Sequence, residues 1–97
     1  MDEIITTLTY KKVERIIDGI DLKLVEHERM IHLYPTKIVT QYREFQLSNI
    51  YDITYKPFSS GEGLLYLHTN NGVFSYPISI SPEIFIAEYN KLKNVSN

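Results

Sequence analysis

The end of this chain constrains its fold more than any other part. Two strand-like runs, Gly63 to Thr69 and Val73 to Ile80, flank Asn70-Asn71-Gly72, and one helix follows. Leu65 and Leu67 share a face of the first run, with Leu64, Tyr66 and His68 on the other. Phe74, Tyr76, Ile78 and Ile80 alternate with Val73, Ser75, Pro77 and Ser79 in the second. Asn71-Gly72 suits a type I′ turn, in which both central positions need positive φ. Pro77 donates no ladder hydrogen bond, so its strand belongs at a sheet edge or near a bend. The helix, at about 81–93, has Ser81 as its cap, Pro82 at its first position and Glu83 to complement its dipole. Phe85, Tyr89 and Leu92, widened by Ile86, form an apolar stripe along it. That stripe needs a surface to lie on, and an open end of a sheet is the expected partner.

Almost everything before this helix reads as strand. Ile4 to Tyr10 sets three threonines among Ile and Leu, which favours extended chain. Residues 11–21 stay open between a long first strand and a strand followed by a short helix. Val13, Ile16, Ile17 and Ile20 follow helical spacing, yet Gly19 and its flanking aspartates would end such a helix early. Asp18-Gly19 signals a turn. A second strand follows through Leu22 and Leu24, and a third from Met30 to Tyr34. Tyr34-Pro35-Thr36-Lys37 is a tight turn into a fourth, Lys37 to Tyr42. The spacing of Leu47, Ile50 and Ile53 predicts a bend near Ser48-Asn49 and another strand from Ile50 to Tyr55. Pro57 to Gly63 is the clearest loop.

Ninety-seven residues are enough for one domain with one core. Hydrophobic residues make up 43% of them, so disorder is not expected. The net charge of −2 is spread evenly: residues 1–48 hold eight acids and seven bases, and residues 49–97 four and three. No half is basic enough to point to nucleic acid. With no cysteine, disulfides, thiolate catalysis and cysteine-ligated zinc are excluded. An acidic, polar-interrupted N-terminus is unlike a signal peptide, and no apolar run is long enough for an integral membrane segment. Asn94-Val95-Ser96 fits a glycosylation acceptor, which without a secretory signal is read as chance. A cytoplasmic protein is the simplest expectation.

Candidates for chemistry are weak. His27 and His32 are five apart, so on one strand they face opposite sides and share no metal. Glu26 and Glu28 share a face at about 6.6 Å, near the separation of glycosidase carboxylates. Their setting, Glu26-His27-Glu28-Arg29, reads better as a solvated strand end. No serine lies in a nucleophile elbow, and Gly61-Glu62-Gly63 lacks the third glycine and helix of a phosphate loop. The expectation is no enzyme, no cofactor and no metal. The eight tyrosines fall mostly in strands. Tyr42, Tyr51, Tyr55 and Tyr66 are the candidates for a protein-binding surface, beside their ordinary use as half-buried sheet filler.

Local sequence adds a family likeness. The segment from Met30 to Thr40, with its Tyr34-Pro35-Thr36-Lys37 turn, resembles a strand-turn-strand of bacterial pleckstrin-homology-like (PH-like) domains. Phe45 to Ile53, Leu65 to Gly72, and the helix start from Ser81 to Ile86 are similar to later parts of the same family. The likeness covers residues 28–93. It departs at the turn, where the family has an Asn and an Arg, and residues 1–27 match poorly. The resemblance implies a mainly β (α+β) fold: a PH-like barrel of about seven antiparallel strands in two near-orthogonal sheets, capped by the C-terminal helix.

Weak chemistry, open strand edges and tyrosine-rich strands point to binding rather than catalysis. The leading expectation is an interaction module for a protein or peptide, or for itself. Classical PH domains bind phosphoinositides through bases around their first two strands. The nearest equivalents are Lys11, Lys12, Arg15 and Lys23, interleaved with Glu14, Asp18 and Asp21. Each base is worth about 1 kcal/mol at an anionic surface, and each acid subtracts. A lipid-headgroup module is therefore the alternative, and a small-ligand carrier using the barrel interior a further one.

Overall fold

The computed structural model describes residues 3–95. Its elements are β1 (Thr6–Asp18), β2 (Asp21–Leu33), β3 (Lys37–Val39), β4 (Glu44–Gln46), β5 (Ile50–Pro57), β6 (Gly63–Thr69), β7 (Gly72–Ile78) and α1 (Glu83–Val95). β1 to β4 form one antiparallel sheet in sequence order, and β5 to β7 a second. The chain passes between them through one 3-10 turn, Leu47–Asn49, at the place where the sequence predicts a bend.

The core lies between the sheets and under the helix. Leu8, Ile31, Leu33 and Ile38 point into it from the first sheet; Ile50, Ile53, Leu65, Leu67 and Ile78 do so from the second. α1 closes it with Phe85 and Tyr89, both 2% exposed, while Ile86 and Leu92 pack at the margin. This is the stripe expected from the helical spacing. The cap is also as expected: the Ser81 hydroxyl accepts the Glu83 amide at 3.3 Å, and Ile86 N–H donates to the Pro82 carbonyl. Two polar contacts fix the helix over the junction of the sheets. Tyr89 Oη donates to the Ile50 carbonyl at 3.3 Å, and Lys93 Nζ to the Leu47 carbonyl at 2.9 Å.

One open reading is decided and others need correction, among them the strand expected from Lys37 to Tyr42, which ends at Val39. Residues 11–18 continue β1 with no helix, because each pairs with a residue of β2, from Lys11 with Glu28 to Asp18 with Asp21. The strands expected at Leu22–Leu24 and Met30–Tyr34 are one continuous β2. The β6–β7 turn is not type I′. Its central residues are Asn70 and Asn71, neither with positive φ, and the positive φ falls on Gly72 at 118°. Thr69 wins that competition: its hydroxyl accepts the Asn71 amide and donates to the Gly72 carbonyl, locking a different local register. Pro77 does lie on an edge strand, since β7 is hydrogen-bonded only to β6.

Candidate functional site: the arm and the cleft at its root

β1 and β2 are each 13 residues long, but only their first and last few residues touch the core. Leu8, Tyr10, Ile31 and Leu33 anchor the hairpin. From Lys12 outward every β1 residue is exposed. The pair leaves the body as a free two-stranded arm. Its effect on shape is plain: the molecule measures 55 × 31 × 24 Å. The radius of gyration is 15.1 Å, where a compact domain of this length has about 12.5 Å. The arm turns at Gly19-Ile20. Gly19 has φ of 65° and Ile20 a negative φ, the arrangement of a type II′ hairpin turn with glycine first.

Strand register sorts the arm into two faces. The inner face continues the core side and carries Lys12, Glu14, Ile16 and Asp18 opposite His27, Val25, Lys23 and Asp21. It is mixed and polar, with His27 Nε2 at 2.9 Å from a Glu14 carboxylate oxygen. The outer face carries Lys11, Val13, Arg15 and Ile17 opposite Glu28, Glu26, Leu24 and Leu22. Its end is apolar and bare: Ile17 is 76% exposed, Leu24 63%, and Ile20 at the apex is fully exposed. Among the described residues, β1 pairs with no strand on its outer edge, and β2 pairs with β3 only through His32 and Leu33. The arm thus offers open backbone edges as well as aliphatic side chains.

A cleft of about 360 Å³ lies at the root, where β1 passes β7 and the β3–β4 loop. Tyr10 and Tyr76 meet edge to face in its wall, with ring centroids 4.9 Å apart. Burial pushes both phenols to ionise later than usual. The nearby Arg29 charge works against this at Tyr10, as does a hydrogen bond from Thr40 at Tyr76. Lys11, Lys12 and Arg43 also line the cleft, and no acid is among its described lining residues. Lys11 is tied to Glu62 at 3.4 Å, Lys12 lies over the Tyr42 ring, and the Arg43 guanidinium sits 4.6 Å from the centre of the Phe74 ring.

The structure divides the residues singled out from sequence. Lys11 and Arg15 lie on the outer face of the arm, and Lys12 and Lys23 on the inner. Each pair shares its face with acids, so the four bases converge on no single point. The tyrosines are equally dispersed. Tyr42 is exposed beside Lys12, and Tyr51 is exposed at a register shift in β5. Tyr66 lies on the outside of the central strand of its sheet, and Tyr55 is turned inward against the core. Glu26 and Glu28 do share a face, and His27 and His32 face opposite sides. The sequence reading passed over Arg43 and the bare outer face of the arm. The signal for the arm was present in Gly19-Ile20, a glycine-first turn between two runs of equal length. The helical spacing of Val13, Ile16, Ile17 and Ile20 hid it. No family model matches the chain, and neither a curated protein nor a solved structure does.

Proposed function

We propose that this chain is a non-enzymatic interaction module, a PH-like β-barrel that docks on protein through its β1–β2 arm. The observation that carries the reading is the bare aliphatic end of that arm. Ile17, Ile20, Leu22 and Leu24 stand in solvent on a ribbon with open edges. Side chains of this kind each lose about 1.5–3 kcal/mol of potential burial energy when left in water. Nothing in the fold of the body requires them, since the core closes with Leu8, Ile31 and Leu33. Two antiparallel sheets closed by a C-terminal helix support the PH-like architecture. The core is filled by aliphatic side chains together with Phe85 and the tyrosines Tyr10, Tyr76 and Tyr89, so a carrier role draws no support from it.

The test places a photo-crosslinking amino acid at position 24 on the arm, and in a second protein at position 84, exposed on the helix. Protein adducts in cells from position 24, with few from 84, are the expected result. An arm that yields no adduct overturns the reading.

A second reading rests on the cleft, which Lys11, Lys12 and Arg43 line with no acid among its described lining residues. An anionic lipid headgroup suits those three charges. Pelleting with anionic vesicles but not neutral ones, weakened by Arg43→Ala, is its expected result. Equal behaviour with both vesicle types removes it.

A further inference from the structure

We infer that the partner of the arm is a second copy of this chain, stacked outer face to outer face with both tips at the same end. The inference rests on the arm being a docking surface, as proposed above, and names what docks there.

Charge placement selects this occupant. On the outer face the bases Lys11 and Arg15 all belong to β1, while the acids Glu26 and Glu28 all belong to β2. The ribbon therefore has a basic side and an acidic side along its length. A two-fold axis running along the arm sets each β1 residue over the partner's β2 residue of the same rung. Lys11 then faces the partner's Glu28, and Arg15 lies diagonal to the partner's Glu26. Ile17 faces the partner's Leu22, so the apolar ends cover one another. The relation survives strand twist, because both copies twist alike. A stack with tips pointing opposite ways sets β1 on β1 and brings bases onto bases. An isologous pair is also the commonest form of self-association.

From Val13 outward the body leaves the outer face of β1 exposed. Leu8, Tyr10, Ile31 and Leu33 hold the arm from its inner side. Met30, on the outer side at the root, is exposed. Lys11 keeps its bond to Glu62 at 3.4 Å, so its charge would be shared between two carboxylates. The area sets the strength. Strands of 13 residues at about 3.3 Å each make a strip about 40 Å long, and two strands about 4.8 Å apart make it about 10 Å wide. That is a footprint of about 400 Å² per copy, in the class of weak, reversible associations rather than permanent dimers.

Sedimentation equilibrium on the full chain, from micromolar to millimolar concentration, tests the inference. The average mass should climb from one chain toward two as concentration rises. Leu24→Lys should hold it at one chain, and Ile84→Lys on the helix should leave the climb unchanged. Both positions are exposed, so the fold is spared. Arg15→Glu and Glu26→Arg should each weaken association at least several-fold, and the two together should restore it. A wild type that stays at one chain throughout overturns the inference, as does a Leu24→Lys protein that associates normally or a charge swap that fails to restore. If the wild type stays single while position 24 still cross-links to another protein, only the second copy is refuted. If both fail, the docking role of the arm falls as well.

Discussion

At the scale of residues, two side chains carry more than their size suggests. Tyr89 is buried under the helix and donates to the Ile50 carbonyl. Burial, aided by the Asp52 carboxylate, pushes its phenol from 10.0 up to about 12. The folded state therefore favours the protonated ring. Its contribution to stability is full below pH 10, falls as pH rises toward about 12, and is gone beyond. Tyr89→Phe should lower stability by about 1 kcal/mol at neutral pH. It should also flatten the alkaline loss, read as melting temperature against pH. Gly63 is needed for lack of a side chain. A Cβ there would lie 2.5 Å from the Tyr55 ring and 2.7 Å from the Lys56 carbonyl oxygen. The backbone oxygen cannot swing away as a ring can. Gly63→Ala should cost about 1–3 kcal/mol by denaturant unfolding, the usual range for overpacking.

At the scale of elements, the helix and the arm are opposites. α1 buries an apolar stripe and is fixed at Tyr89 and Lys93 to the chain between the two sheets. Phe85→Ala should lose about 3–5 kcal/mol, enough to unfold much of the population at ambient temperature. A denaturation curve unchanged from wild type would refute the closing role of the helix. The arm has long cross-strand pairing but no core beneath its outer half. An isolated hairpin is only marginally stable in water. Amides from Val13 to Asp18, and their partners in β2, should exchange with solvent much faster than those of Leu65 and Leu67. Protection of the arm amides that grows with protein concentration would reveal contact with a second copy.

At the scale of the whole molecule, two sheets and a helix make the body, and a ribbon projects from it. The extended 55 Å dimension belongs to this projection. A small body has little surface to spare for a partner. A projecting ribbon adds contact area without enlarging the core. The same geometry separates the possible functions in space. The proposed protein contact falls at the apolar end, and the cationic cleft of Lys11, Lys12 and Arg43 falls at the root.

How much of this was legible follows from how far each interaction reaches along the chain. The sequence alone determined β6, the Tyr34-to-Lys37 turn, the cap at Ser81 and the stripe of Phe85, Tyr89 and Leu92. Each depends on residues within a few positions, where spacing and turn chemistry suffice. It also determined that His27 and His32 face apart, because alternation along one strand is local. Only the tertiary structure decided that residues 11–18 are strand. Their spacing suits a helix, and the pairing partners that override it lie in β2. Only the structure showed that Lys11, Lys12 and Arg43 meet, since Arg43 reaches the cleft through a separate hairpin. The arm is the sharpest case. The same aliphatic residues would be core in a compact chain. What leaves them in solvent is that the helix and the second sheet complete the body at Tyr10, before the first hairpin has ended.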